Sequence, residues 1–395
     1  MVDAEARTAH RILILIPSLR SAGGTERVVL NLSRLLAGMG HTVKTATFDA
    51  PEDKPHFAFD PPPMALGPLP ALPFALRPLT YLLEALRLRE AKRAFRPDLT
   101  ISNLWRADLI SQLAGGADRK LAVAHINVVG NPTNRMMVRL RPLVAWLYRR
   151  FDRVVAVSPP LAEELRGLYR LAPGRALAID NFTDPPPAQP ALPDDGLARL
   201  VWCGRLVPEK NLGGFLPVWA QFCRGRTGVQ LVVLGEGPLR AALEAQAAEL
   251  GLRAGSDPGD PNAQVVFAGV VSRPADYMIG AKALVLSSEA EGMPMVLLEA
   301  IALGTPVLAS DCPAGGVRAV LSEDGAEATG FGALLPIPRA GEPASQQAWL
   351  PWLACAVEDP ATQQDWHRAA LLRAEKYSSR TAQQAWQAAI EGALA

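Results

Sequence analysis

Residues 283–311 read ALVLSSEAEGMPMVLLEAIALGTPVLASD, and their pattern decides the architecture. Aliphatic runs at ALVLSS (283–288) and PVLAS (306–310) flank an apolar helical stretch, which makes a strand–helix–strand unit. Glu299 is the only charged residue between Glu291 and Asp311. An unpaired charge is costly to bury, so Glu299 either pairs with a distant base or faces a polar ligand at the domain edge. Its neighbours favour the ligand. Gly292 lets a backbone come close, and Pro294 falls where the first turn of a helix tolerates proline. After the loop Glu291–Gly292–Met293–Pro294, the free amides of Met295 and Val296 suit a diphosphate, and the helix dipole adds attraction. Glu291 in the loop and Glu299 farther along can both accept hydrogen bonds from hydroxyls.

The same rhythm extends in both directions. RLVWC (199–203), VQLVVL (229–234) and QVVFAG (264–269) precede this unit, with helical stretches between them. The first half carries RILILI (11–16), a helix from about Thr25, HTVKTATF (41–48), DLTIS (98–102), KLAVA (120–124) and RVVAV (153–157). Strands alternating with helices predict an α/β fold with parallel, doubly wound sheets. A chain of 395 residues is too long for one ordinary core. The prolines of TDPPPAQPALPDDG (183–196) favour an extended, unpaired linker. The expected domains are therefore residues 1–183 and 197–378 about a linker at 184–196, and helical patterns near 345–358, 361–376 and 380–394 finish the chain.

Ligands of such sheets bind beyond the carboxyl ends of the strands, and five other strand ends carry candidates. GRLVPEKN (204–211) offers Arg205 and Lys210, cations able to neutralise phosphate, although an Arg and a Lys in a loop are usually solvated. SAGGTER (21–27) offers Gly23 and Gly24 for a tight turn under a ligand, or for an ordinary glycine turn; it lacks the G-x-G-x-x-G of a dinucleotide site. LGEGP (234–238) places Gly235 similarly, and FAGVV (267–271) ends a strand whose backbone at Val270 could pair with a base. His125 follows KLAVA; a lone histidine is commonly structural, but this position favours a role near a reacting group.

Composition narrows the classes. A net charge of +1 gives no global pull on nucleic acid. Cys203, Cys223, Cys312 and Cys355 lie far apart, which suggests neither zinc nor disulfides and fits reduced cytoplasmic thiols. MVDAEARTAH has no signal-peptide pattern, and the apolar stretch Met64–Leu88 is broken by Pro68, Pro70, Pro73 and Pro78, so no spanning helix is expected. NRMMVRLRPLVAWLYRRFDR (134–153) mixes six arginines with Met136, Met137, Leu140, Leu143, Trp146, Leu147 and Phe151. It reads either as a basic amphipathic surface for an anionic membrane or as a core-facing helix with solvated arginines, with Pro142 as a potential break.

These segments resemble the family 4 glycosyltransferases over most of the chain. The resemblance rests on GGTERVVLNLSRLLAGMGHTV, CGRLVPEKN, LVVLGEGPLRAALE and, most specifically, SSEAEGMPMVLLEAIALGTPVLASD with its Glu291-x7-Glu299 spacing. It implies the GT-B fold, two facing Rossmann-like domains, with a C-terminal helix (379–395) crossing back to the N-terminal one. It also implies a retaining hexosyltransferase that uses a nucleotide-diphosphate sugar. The donor would lie in the C-terminal domain and a saccharide acceptor on the N-terminal one, with no metal cofactor. The acceptor expected is a lipid-linked sugar at the cytoplasmic face, as in polysaccharide or envelope assembly. By the same resemblance Glu291 would bind donor-sugar hydroxyls, Glu299 the ribose, and Arg205 and Lys210 the diphosphate. Gly24 would let its loop approach the phosphates, and His125 would sit near the reaction centre. Val317 and Ala319 stand where relatives often carry Pro and Glu, which puts contacts near 314–320 in question. Two other classes stay open: a non-catalytic nucleotide-sugar binder, and a nicotinamide-dependent dehydrogenase. Against the dehydrogenase stand the glycine pattern and Lys44 in the neighbourhood of a ribose-binding acid.

Overall fold

In the first half, strand β1 (Arg11–Leu15) leads to helix α1 (Gly24–Gly38), then to β2 (Thr42–Thr47) and the two-residue β3 (Met64–Ala65). Next come α2 (Arg77–Phe95), β4 (Leu99–Asn103), α3 (Trp105–Ala114), β5 (Arg119–Ala124), α4 (Arg141–Tyr148), β6 (Arg153–Ala156), α5 (Pro159–Tyr169) and β7 (Ala176–Ala178). The structure is a computed structural model that describes residues 9–21, 23–69, 77–126, 139–313, 315–322 and 328–395. Among these residues the strands form one parallel sheet in the order β3-β2-β1-β4-β5-β6-β7. Ile12, Leu13, Ile14 and Leu15 are all wholly buried, as a strand covered on both faces requires. Helix α1 supplies part of that cover through Val28, Val29, Leu32 and Leu36. The chain first winds outward from β1 to β3 and then returns to β4, so winding reverses between β1 and β4.

The second half repeats the plan. Strand β8 (Ala198–Cys203), a 3-10 turn at Pro208–Lys210, α6 (Leu212–Cys223), β9 (Val229–Leu234), α7 (Arg240–Glu249), β10 (Ala254–Gly255) and β11 (Val265–Gly269) come first. Then follow α8 (Ala275–Met278), β12 (Ala283–Leu286), α9 (Met295–Ala302), β13 (Val307–Ser310), α10 (Gly316–Leu321), β14 (Ala328–Thr329) and β15 (Gly332–Leu335). The strand order is β10-β11-β9-β8-β12-β13-β15-β14, parallel except for the β14–β15 pair. Its winding reverses between β8 and β12. Helices α11 (Pro343–Gln347), α12 (Leu350–Glu358), α13 (Pro360–Glu375) and α14 (Ser379–Leu394) complete the chain.

Two compact units result, Met1–Phe182 with Ser379–Ala395, and Thr183–Ser378. Helix α14 packs on β5 and β6 of the first unit. It buries Ala382, Trp386, Ala389, Ile390 and Ala393 there. The segment 183–196 forms no helix or strand, but it is not unpaired. The Gln189 amide donates to the Asp276 carboxylate at 2.9 Å, and the Ala191 amide to the Asp276 carbonyl at 2.8 Å.

The basic segment 134–153 also differs from its sequence reading. Residues 134–138, with Arg135, Met136 and Met137, lie outside the described residues. Pro142 begins α4 instead of breaking it, since a first-turn residue has no intrahelical amide bond to lose. The helix stops at Tyr148 and β6 starts at Arg153, so the amphipathic element is short. Its inner face carries Ala145, Leu147 and Tyr148. The Tyr148 hydroxyl donates to Asp108 Oδ2 at 2.9 Å and Ser102 Oγ to Asp108 Oδ1 at 2.6 Å. Burial pushes that carboxyl up to about 7 against these two bonds. Its outer face exposes Leu143 and Trp146, 58% and 52% accessible, with the Arg150 guanidinium 4.6 Å from the Trp146 ring centroid. Among the described residues no helix is long and apolar enough to cross a membrane. All four cysteines are free thiols.

Candidate functional site

In the second unit the ends of β8 and β12 meet at the reversal of winding, where open α/β sheets bind ligands. Asn211 follows the 3-10 turn with φ 51°, a left-handed conformation that asparagine tolerates better than most residues. Its Nδ2 donates to the carbonyls of Ser287 (3.2 Å) and Pro338 (3.0 Å). Trp202 Nε1 donates to Ser287 Oγ, and that hydroxyl donates to the Lys210 carbonyl, both at 3.0 Å. The backbone at Lys210 is therefore pinned to the end of β12 before its side chain does anything.

That side chain then reaches Glu291. Lys210 Nζ lies 2.5 Å from Glu291 Oε1, and Ser288 Oγ donates to the same oxygen at 2.7 Å. Glu291 is only 8% exposed, so the pair is largely removed from water and the carboxylate keeps a fixed position. Cys312 lies nearby, its thiol pushed up to about 12 chiefly by burial and further by the Glu291 charge. Glu299 is also 8% exposed, in a helix whose Leu297, Leu298, Ala300 and Ile301 are wholly buried. It stands close enough to Cys203, at the end of β8, to help burial push that thiol up to about 12, with Lys210 opposing. Thus Lys210, Glu291 and Glu299 belong to one neighbourhood. Arg205 does not join it: its side chain is 67% exposed and leans on Glu209 at 3.5 Å.

Helix α9 starts at Met295, with Pro294 at the N-cap one position earlier than the sequence suggests. Gly292, Met293 and Pro294 form the bend before it. Met295 is buried and Val296 half-buried. Gly292 is indeed a place of close approach, although to protein: a Cβ on Gly316 would lie 1.3 Å from the Gly292 carbonyl oxygen. Gly235 has φ 136°, and a Cβ there would meet the Gly204 carbonyl oxygen at 1.9 Å. Glycine is needed so that the β9 loop can lie on the β8 loop; Gly204 N donates to the Leu234 carbonyl at 3.0 Å. Val270, just past β11, is 58% exposed.

Gly23, Gly24 and His125 belong to the first unit. Gly23 caps α1 with φ −80° and ψ 161°, a conformation any residue adopts, so no tight turn demands glycine there. The atoms nearest a Cβ there belong to the Glu26 carboxylate, a flexible group, which also accepts from Ser21 Oγ. Gly24 is the first residue of α1, and Ala22 lies outside the described residues. His125, 9% exposed, follows β5, and burial pushes its imidazole down to about 4. Its Nε2 lies 2.9 Å from Asn103 Oδ1. The residue after Asn103, Leu104, has φ 72° and ψ 145°, a conformation that costs roughly 1–3 kcal/mol and collects at functional sites.

Sequence reasoning missed Ser288, Ser287, Asn211, Asn103 and Gly316. The first four read as ordinary polar residues at strand ends or in loops; only their shared location at strand carboxyl ends could have marked them.

Two α/β units, each a doubly wound and mainly parallel sheet with one reversal of winding, make up the GT-B class of transferase. A sucrose-phosphate synthase from Thermosynechococcus elongatus has this fold, with TM-score 0.77, 19% identity and coverage of 97% of this chain and 98% of that one. So has Anabaena HepE, solved with UDP and glucose, at TM-score 0.74, 18% identity and 97% and 99% coverage. The sequence model described as Glycosyltransferase Family 4 matches residues 22–185, and that described as Glycosyl transferases group 1 matches residues 198–340. The chain belongs to the family 4 type of glycosyltransferases, which removes the dehydrogenase alternative. An amylovoran biosynthesis glycosyltransferase of Erwinia amylovora is 25% identical over 327 residues, 80% of this chain and 85% of that one. An N-acetylgalactosamine-N,N'-diacetylbacillosaminyl-diphospho-undecaprenol 4-alpha-N-acetylgalactosaminyltransferase of Campylobacter jejuni is 26% identical over 330 residues, 80% and 84% of the two chains.

Proposed function

We propose that this glycosyltransferase moves a hexose, with retention, from a nucleotide-diphosphate sugar to a hydroxyl of a saccharide acceptor. The observation that carries the reading is Glu291, held by Lys210 and Ser288 immediately before the start of α9. A fixed carboxylate accepts hydrogen bonds from sugar hydroxyls. The amides opening α9 suit the diphosphate, and Glu299, inside that helix, takes the ribose. Arg205 is exposed and can swing onto the leaving diphosphate, so that it and Lys210 supply positive charge with no metal cofactor required. As the bond from the sugar to phosphate breaks, the acceptor oxygen bonds to the same face and its proton passes to the leaving phosphate. Within the second unit, Gly235 shapes the loop after β9, and the exposed Val270 offers backbone to the base.

The test is a thermal-melting panel of UDP-, GDP-, ADP- and dTDP-sugars, followed by nucleotide release with the best binder and assignment of the product anomer. One donor is expected to shift the melt, and Arg205→Ala is expected to lose about tenfold to a hundredfold in turnover while still binding it. No shift from any donor, or an inverted product, would overturn the reading.

A lipid-linked acceptor at a membrane's cytoplasmic face fits the undecaprenyl-diphosphate substrate named in the Campylobacter relative. Leu143 and Trp146 on the outer face of α4 give this an anchor, with Arg150 beside them. Vesicles containing anionic lipid are expected to float the wild type and to lose a variant with Arg139, Arg149 and Arg150 neutralised. Absence of flotation in both would remove the membrane contact.

A further inference from the structure

In the first unit the strand ends on either side of the reversal of winding are joined by a line of hydrogen bonds. Asn103 Nδ2 donates to the Leu15 carbonyl at 3.3 Å, and Asn103 Oδ1 faces His125 Nε2 at 2.9 Å. A backbone carbonyl can only accept, so the amide nitrogen must face Leu15 and the amide oxygen must face the imidazole. An acceptor opposite Nε2 requires the ring proton to sit there. His125 is then the Nε2–H tautomer, with its lone pair on Nδ1. Among the described residues none donates to Nδ1.

Three further observations show that this arrangement is built rather than incidental. Asn103 is wholly buried and His125 nearly so, beside Leu15, Ile16 and Val123, each at most 1% exposed. The backbone leaves Asn103 through the positive φ of Leu104, a strained turn that aims the preceding side chain. No charged group contributes to the depressed basicity of His125; burial alone causes it.

We infer that Asn103 is a positioning residue for His125, holding the imidazole as the Nε2–H tautomer so that Nδ1 accepts a hydrogen bond from a hydroxyl of the sugar substrate. A lone pair repels phosphate and carboxylate oxygens, so this strand end takes a neutral polyol. The inference rests on the transferase reading and assigns the kind of group the first unit recognises.

A long-range proton–nitrogen correlation spectrum of the full chain reads the protonation of each ring nitrogen, and His125→Gln assigns the signals among the five histidines. The expected spectrum shows His125 protonated on Nε2 and unchanged from about pH 5.5 to 8.5, while an ordinary histidine titrates in that window. Asn103→Asp places an anion opposite Nε2. It is expected to bring His125 into the window and to give nucleotide release an acid limb at the same pH, with the donor KM within about twofold of wild type. Asn103→Leu is expected to mix the two tautomers and to lower kcat about tenfold or more. A wild-type His125 protonated on Nδ1, or titrating normally, overturns the inference. So do variants that keep the wild-type tautomer and pH profile. The spectrum needs no substrate, so a chain that released no nucleotide would overturn the transferase reading separately.

Discussion

Glu299→Ala is expected to abolish the thermal shift that the best nucleotide sugar gives the wild-type chain, and turnover with it. Hydrogen bonds to a charged acceptor contribute about 1.5–3 kcal/mol each, and a ribose offers two hydroxyls to one carboxylate. Affinity should therefore fall by roughly a hundredfold or more. Folding should survive, because the rest of α9 is packed by Leu297, Leu298, Ala300 and Ile301, which the substitution leaves in place. Glu299→Gln keeps the volume and separates lost charge from lost packing. A Glu299→Ala protein with wild-type shift and turnover would overturn the site assignment.

Gly316→Ala should cost both stability and donor binding. The added methyl would lie 1.3 Å from the Gly292 oxygen and 3.1 Å from the Met293 nitrogen. Both are backbone atoms, so no side chain can move aside; the bend between Glu291 and α9 must shift or α10 must retreat. Overpacking of this kind costs about 3 kcal/mol or more, a drop of roughly 10 °C in melting temperature for a unit of this size. Because the displaced atoms adjoin Glu291, the donor-induced shift should shrink as well. Gly38→Ala is the control, since a Cβ there meets nothing within 4 Å. A Gly316→Ala chain with the melting temperature and donor shift of wild type would show that the contact is looser than described.

Much of the architecture was legible because both sheets are covered on two faces, so strands such as Arg11–Leu15 and Val229–Leu234 are nearly unbroken apolar runs. The two-residue strands β3, β10 and β14 were not legible, since two residues show no period. In the candidate site, Glu299 announced itself as an isolated charge in an apolar helix. Arg205 and Lys210 looked equivalent in one loop, and only the structure separates a lysine pinned to Glu291 from an arginine left in solvent. Gly23 shows the opposite error, a glycine pair whose capping member has ordinary backbone. Asn103 was illegible because its partners, Leu15 and His125, lie at the ends of neighbouring strands, and spacing along the chain does not encode distance across a sheet.

Helix α14 leaves the first unit dependent on residues made after the whole second unit. A ribosome delivers β5 and β6 more than 200 residues before the Trp386 and Ile390 that cover them. Vectorial synthesis therefore cannot finish this protein one unit at a time. During that interval the nascent chain carries part of an apolar sheet face for which its own cover does not yet exist.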